Sequence, residues 1–245
     1  MDRIRIACVD YLNTAPLIAG LDVLEGVELI PTVPSRIAGM VAANEADIGL
    51  ASIVDAPRHG LTLLDAGMIG CDGPTLTVRL FSAVEPQQIQ TVHIDTDSHT
   101  SELLCRVVLA DQYAVQPKVV SFDARERIAL PGSTTPGQPE PNLDEAWPEA
   151  LLLIGDKVVS DCPPAVRYPT QIDLGAAWKE LTGLPFMYAA WMCRKADATD
   201  DRIAHAAMVL DRQRRRNLAR LDHLIPTWAK SHRWPRDLAA RYLSE

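Results

Sequence analysis

Side chains able to hold an anion gather in three short stretches: Asp10-Tyr11-Leu12-Asn13-Thr14, Pro34-Ser35, and Ser98-His99-Thr100-Ser101. Each follows an apolar, β-branched run and precedes residues at helical spacing. Its hydroxyls and amides therefore fall near a helix start, where backbone N–H groups lack partners and the helix dipole is positive. Such positions suit a carboxylate. The same residue types also cap helices and form turns, which by itself explains most Ser, Thr and Asn at these places. What favours binding is convergence, because open α/β sheets bind ligands at the carboxyl ends of their strands, here the loops after Val9, Val33 and Asp95. His99, inside the third stretch, can donate to an anion or exchange a proton, or simply face solvent.

Other chemistries find less support. Five cysteines, Cys8, Cys71, Cys105, Cys162 and Cys193, are widely spaced without a C-x-x-C pair, which predicts buried free thiols; a nucleophilic Cys8 or Cys193 would have no base nearby in sequence. The six histidines show no H-E-x-x-H or similar spacing, so no metal site is expected. G-x-G-x-x-G, the G-x-x-x-x-G-K-[ST] phosphate loop and G-x-S-x-G are absent, so no cofactor is implied. The arginines 212, 214, 215, 216 and 220 read as the solvated face of an amphipathic helix.

The elements that position these residues alternate between strand and helix. Ile4 to Val9 predicts a strand, and Pro16 with Leu17, Ile18, Leu21 and Leu24 a helix. Val27 to Val33 predicts a second strand, followed by a helix capped at Pro34-Ser35, and Ala46 to Ala51 a third. Strand character returns at Thr75 to Val84, Thr91 to Asp95, Lys118 to Phe122, Ala150 to Ile154 and Leu184 to Cys193. Helices are expected after the polar run that ends at Ser101 and over Asp173 to Thr182, the latter stopped by Gly183. Five prolines between Pro131 and Glu149 mark an irregular excursion, and the last fifty residues read as helix broken at Pro226 and Pro235. Short parallel strands joined by crossover helices, in two lobes, follow from this alternation.

With 245 residues, 47% of them apolar, there is ample material for a core. A formal charge of -8 repels nucleic acid and anionic membrane, so an anionic ligand must be held locally. No uncharged apolar stretch approaches the ~18 residues of a membrane span, and Asp2, Arg3, Arg5 and Asp10 interrupt the region where a signal peptide needs its apolar core. A cytoplasmic location is therefore expected. Oligomeric state is not legible.

Seven segments, in order, resemble the chorismate dehydratase family of the futalosine route to menaquinone. VDYLNTAPL (9–17) is similar to V-S-Y-L-N-T-x-P-L, PSRIA (34–38) to P-S-x-L-A, EADIGLAS (45–52) to E-x-D-x-G-L, and GPTLTVRLFS (73–82) to G-P-V-x-S-V-x-L-F-S. DTDSHTS (95–101) resembles D-x-S-S-R-T-S, LLIGDKVV (152–159) resembles L-L-I-G-D-x-A-L, and the stretch 173–191 resembles D-L-G-x-x-W-x-x-x-T-G-L-P-F-V-F-A-x-W.

The resemblance implies a type II periplasmic-binding-protein-like α/β fold with a ligand cleft between two lobes, residues 1–83 and 190–245 forming one and 84–189 the other, with extended crossings near Phe81 to Val84 and Tyr188 to Trp191. It implies cofactor-independent loss of water from chorismate, a small dicarboxylate, to 3-[(1-carboxyvinyl)oxy]benzoate, the substrate's own enolpyruvyl carboxylate being the proposed proton acceptor. Asn13 matches an essential Asn of the family and Thr77 an essential Ser. Asp10 and Asp97 replace serines, and His99 stands where Arg is common. Asp10 then reads as a base or water-positioning group, or as a cap on the Asn13-Thr14 turn. Tyr11, Ser35, Ser98, His99, Thr100 and Ser101 read as substrate-binding. A cytoplasmic binding protein for a small anionic ligand, with the same fold and no chemistry, is the alternative. A sister enzyme acting later in that route, the 1,4-dihydroxy-6-naphthoate synthase, lacks the DYLNTAP opening.

Overall fold

Period-two apolar runs become strands and amphipathic runs become helices in a computed structural model that describes residues 3–95, 97–122 and 147–244. In chain order the elements are β1 (Ile4–Cys8), α1 (Ala15–Ile18), β2 (Val27–Pro31), α2 (Pro34–Ala42), β3 (Ile48–Ser52), β4 (Leu61–Cys71), β5 (Val78–Ser82), β6 (Thr91–Asp95) and α3 (His99–Tyr113). They continue with β7 (Lys118–Phe122), β8 (Ala150–Ile154), α4 (Lys157–Ser160), β9 (Thr170–Asp173), α5 (Leu174–Thr182), β10 (Phe186–Arg194), α6 (Asp201–Leu218), α7 (Leu221–Ser231) and α8 (Arg236–Ser244). Most of the proline-rich excursion lies outside the described residues.

Two units result: Met1–Asp72 with Asp97–Thr100 and Pro185–Glu245, and Gly73–Thr96 with Ser101–Leu184. The division falls before β5, not after Ala83, because β5 pairs with β8 and β9 in the second unit's sheet; likewise β10 pairs along its length in the first. The sheets are mixed, not purely parallel. In the first, ordered β2-β1-β3-β10-β4, β1 runs parallel to β2 and β3 while β10 is antiparallel to its neighbours. In the second, ordered β7-β6-β8-β5-β9, β6 is parallel to β7 and β8 and β5 antiparallel to β8 and β9.

Alternation along β1 sorts its side chains between two apolar layers. Ile6 and Cys8 pack with Leu17, Leu21, Trp191, Ile203 and Leu210, whereas Ala7 and Val9 pack on the other face with Ile37, Val41 and Met192. Gly49 of β3 permits α2 to lie close: a Cβ there would stand 2.5 Å from Ile37 Cγ2 and 2.7 Å from Val41 Cγ2. In the second unit, fully buried β8 contributes Leu151 and Leu153 to a cluster with Phe81, Phe122 and Tyr168.

Several local expectations change. The helix after Asn13 ends at Ile18, because Gly20 turns the chain at φ +79 and buried α6 side chains take over the exposed carbonyls: Gln213 and Asn217 donate to Ala19 O at 2.6 and 2.9 Å, and Asn217 to Pro16 O at 3.1 Å. Pro226 lies inside α7; the break comes at Arg220. Strand β4 was not expected. It is an edge strand whose buried and exposed residues alternate, with shifts in register against β10 and with Gly67 and Gly70 diluting its apolar pattern. Conversely, Gly183 ends α5 at φ 72 as its position predicts, while Asp173, expected inside the helix, caps it by accepting from Gly175 N and Ala176 N.

Candidate functional site

At the carboxyl end of β1 the chain enters a short 3-10 turn, Leu12–Thr14, capped by Tyr11 in extended conformation. Thr14 pins this turn, its hydroxyl lying 2.7 Å from Tyr11 O and 3.1 Å from Val9 O. Asn13 is half-buried there, and its Oδ1 is shielded from solvent with no hydrogen-bond partner among the described residues. A buried amide oxygen left in this state has unspent capacity for a ligand donor. Asp10 does not cap the turn. It is 62% exposed, with Oδ1 3.6 Å from His232 Nε2, and His232 stacks on Trp228.

The Asp97–Thr100 segment belongs to the same unit, and three contacts hold it. Tyr11 Oη donates to Asp97 Oδ2 at 3.2 Å, and Thr100 Oγ1 donates to Tyr188 O at 3.0 Å. His99 Nδ1 lies 2.8 Å from Oδ2 of Asp55, a residue that follows β3 in a 3-10 turn, Ile53–Asp55. A carboxylate only accepts, so Nδ1 carries the proton. Asp55 is 1% exposed and its Oδ1 accepts no hydrogen bond among the described residues; Arg58 Nη1 approaches it to 3.8 Å. Because the proton of Thr100 is committed to a backbone carbonyl, this hydroxyl serves as an anchor of the segment rather than as a donor to an anion. Sequence reasoning missed Asp55. Its only local signal is an acid in an otherwise apolar stretch after a fully buried strand.

Thr77 lies in the second unit, buried, just before β5. It follows a tight turn in which Thr77 N donates to Thr75 O at 2.7 Å while Leu76 takes φ 63, a region unfavourable for a side chain with a Cβ. Asp173 holds that turn. Its carboxylate accepts from Thr75 N at 2.9 Å and Leu76 N at 2.7 Å, besides capping α5, so one side chain fixes four amides. Gly155 N donates to Thr77 O at 2.8 Å and ties the turn to the end of β8. Strain of this kind persists only when its surroundings over-determine it, as here.

Beyond Gly155, α4 carries Lys157, whose ammonium pairs with Asp95 at the end of β6; the side chains are 9% and 2% exposed. Ser101 is buried and Ser98 half-buried. Ser35 does not cap α2: the cap is Val33, Pro34 opens the helix, and no side chain accepts there. Proline's fixed φ suits the first helical position, which moves the start two residues earlier than a serine cap requires.

Cys8, Cys105 and Cys193 are buried, Cys71 is half-buried and Cys162 is exposed, contrary to the uniform burial expected. Burial, aided by the charge of Asp10, pushes the Cys8 thiol up to about 12, and burial raises Cys193 too, so neither is a ready nucleophile. Among the described residues no group of three His, Cys, Asp or Glu could hold a metal, and no helix is long and apolar enough to cross a membrane.

A solved structure from Archaeoglobus fulgidus is similar at TM-score 0.69 and 17% identity, over 98% of this chain and 86% of that one. The alkanesulfonate-binding protein of Xanthomonas axonopodis pv. citri aligns at TM-score 0.63 and 12% identity, covering 100% and 84%. A Candida albicans protein described as having the generic periplasmic binding protein fold aligns at TM-score 0.65 and 12% identity, covering 99% and 80%. The fold is therefore the two-lobed α/β fold of the periplasmic binding proteins. By sequence, the chain is 28% identical to the chorismate dehydratase of Thermus thermophilus over 238 residues, 90% of this chain and 79% of that protein. The menaquinone biosynthesis family profile matches residues 4–245, and the chain belongs to that family.

Proposed function

We propose that this protein is a chorismate dehydratase, an enzyme of menaquinone biosynthesis that removes water from chorismate without a cofactor. The family match over residues 4–245 carries this reading, and the Thermus thermophilus relative supports it. In the reaction the ring C3 proton and the C4 hydroxyl depart and the ring becomes aromatic. The C3 hydrogen is vinylogous to the ring carboxylate, so donors fixed around that carboxylate stabilise the charge that develops as the proton leaves. Positioning is then much of the protein's task.

Asn13 and Thr77 are the residues assigned to that task. The buried Oδ1 of Asn13, without a hydrogen-bond partner among the described residues, supports its share, since the same amide can accept from a substrate hydroxyl while its NH2 donates to a carboxylate. The turn held by Asp173 supports Thr77, because fixing the backbone on both sides of a side chain sets where its hydroxyl points. Asp10, exposed beside His232, has the weakest case of the three catalytic candidates. Ser98 and Ser101 remain candidates for holding the ring carboxylate.

Incubating the purified protein with chorismate, and following loss of the diene absorbance together with appearance of the aromatic product, tests the reading. Stoichiometric conversion to 3-[(1-carboxyvinyl)oxy]benzoate is expected. Chorismate that binds but is recovered unchanged would overturn it.

A further inference from the structure

The buried stripe of α6 begins apolar and ends polar. Ile203, Ala206 and Leu210 join Leu17, Ile18 and Leu21 in one cluster, but the stripe continues with Gln213 and Asn217, 8% and 4% exposed. Two amides on such a stripe are costly unless their hydrogen bonds are met, and here they are. Gln213 Nε2 donates to Ala19 O at 2.6 Å and to Asn217 Oδ1 at 3.3 Å. Asn217 Nδ2 spans the last turn of α1, donating to Pro16 O at 3.1 Å and to Ala19 O at 2.9 Å. A Cβ at residue 20 would stand 2.9 Å from Gln213 Nε2, so the glycine there leaves room for the amide to reach its carbonyl.

These bonds act on the segment that carries Asn13. The 3-10 turn Leu12–Thr14 runs without a break into α1, Ala15 N donating to Leu12 O, so residues 12–18 form one short helical unit in which Asn13 stands three residues ahead of Pro16. So short a helix has little stability of its own, and its contacts decide where it lies. The apolar contacts of Leu17 and Ile18 are non-directional, whereas hydrogen bonds to both Pro16 O and Ala19 O also fix the rotation of the unit about its axis. At the other end the Thr14 hydroxyl ties the turn to Tyr11 O and Val9 O. Asn13 is thus held between two clamps, one from its own loop and one from the far end of the chain.

Resting on the dehydratase reading, we infer that Asn217 and Gln213 are positioning residues for Asn13: they set where its amide meets the substrate. They carry no proton and touch no reacting atom. Their part is to hold one catalytic side chain in register, which matters because a displacement of about 1 Å in a reacting geometry is enough to slow a reaction severely.

The test reads kcat and KM for chorismate separately in wild type, Asn217→Leu, Asn13→Ala and the double variant, with folding checked by circular dichroism at the assay temperature. Asn217→Leu keeps the size of the side chain and removes its donors, so kcat should fall by about 10²-fold, the scale of a misplaced group, with KM changed only a few-fold. In the Asn13→Ala background the same change should cost less than about twofold, because its effect runs through the amide that is no longer there. Gln213→Met is gentler, since Asn217 still holds Ala19 O, and decides the matter if Asn217→Leu does not fold; its smaller loss of kcat should likewise vanish with Asn13→Ala. Folded variants that keep wild-type kcat, losses of equal size with and without the Asn13 amide, or a loss confined to KM would each overturn the positioning role and leave the dehydratase reading intact. Asn13→Ala at wild-type kcat would overturn it too, by removing Asn13 from the machinery. Wild-type protein that leaves chorismate unchanged would instead sink both.

Discussion

Each unit buries an acid with a basic partner near the carboxyl ends of its strands, yet the two pairs are built differently. In the second unit Asp95 and Lys157 are both nearly sealed from water. In the first, Asp55 is sealed but its partner His99 is 39% exposed. A closed pair of permanent charges fixes geometry, here joining β6 to the start of α4. A pair with one exposed partner leaves that partner within reach of solvent. Burial of an acid is thus a poor guide on its own; exposure of its partner is what separates the two pairs.

The comparison breaks or sharpens at several positions. Lys157→Met should have the largest effect, because removing the cation leaves Asp95 buried with its charge, a loss that costs about 3–5 kcal/mol in such pairs. Urea denaturation would measure it, and replacing both partners, Asp95→Leu with Lys157→Met, should recover most of the loss. A cost below about 1 kcal/mol would mean water reaches the pair, and the contrast between the units would fail. Asn13→Ala and Thr77→Val should each leave stability nearly unchanged while lowering kcat by about 10²–10³-fold, as removing a fixed transition-state donor does. Wild-type turnover by both would show the assignment of these residues to be wrong even with the activity intact.

Asp173→Ala is intermediate. It weakens a helix cap, worth about 0.5–2 kcal/mol, and the hold on Leu76, so a modest drop in melting temperature should accompany a fall in kcat. The smallest change is expected in acid. Burial alone would raise the Asp47 carboxyl, but hydrogen bonds from the Arg5 side chain and amide outweigh it and hold the group below its usual range. A depressed carboxylate contributes stability that is present above its unfolded pKa and lost as pH falls through the folded one. Arg5→Met should therefore flatten the acid limb of the stability profile, measured by denaturation from neutral pH downward, with little change in the limb above neutrality.

Legibility differed by element. Thr91–Asp95, Lys118–Phe122 and Ala150–Ile154 were readable to the residue, because short runs of β-branched and apolar residues bounded by polar ones leave few alternatives. The helix ending at Thr182 was nearly as plain from its apolar face and its glycine stop. Strand β4 was hidden because an edge strand shows one face to water and tolerates glycine. The early stop of α1 was hidden because the side chains that cap it, Gln213 and Asn217, come from the far end of the chain. Of the candidate site, Asn13 and His99 stood out by residue type and place in a loop. Asp55 and Asp173 did not, since an isolated acid reads as a surface residue until its partners are known.

Most of the strands and helices and the acidic charge were legible from residue type and spacing, and the family resemblance from seven segments in order, since these depend on neighbours in the chain. Which hydroxyls are already spent and which acids find a buried partner were settled only on folding. Those properties depend on contacts across long separations, such as Asp55 with His99 or Thr100 with Tyr188, and no local pattern encodes a partner that distant.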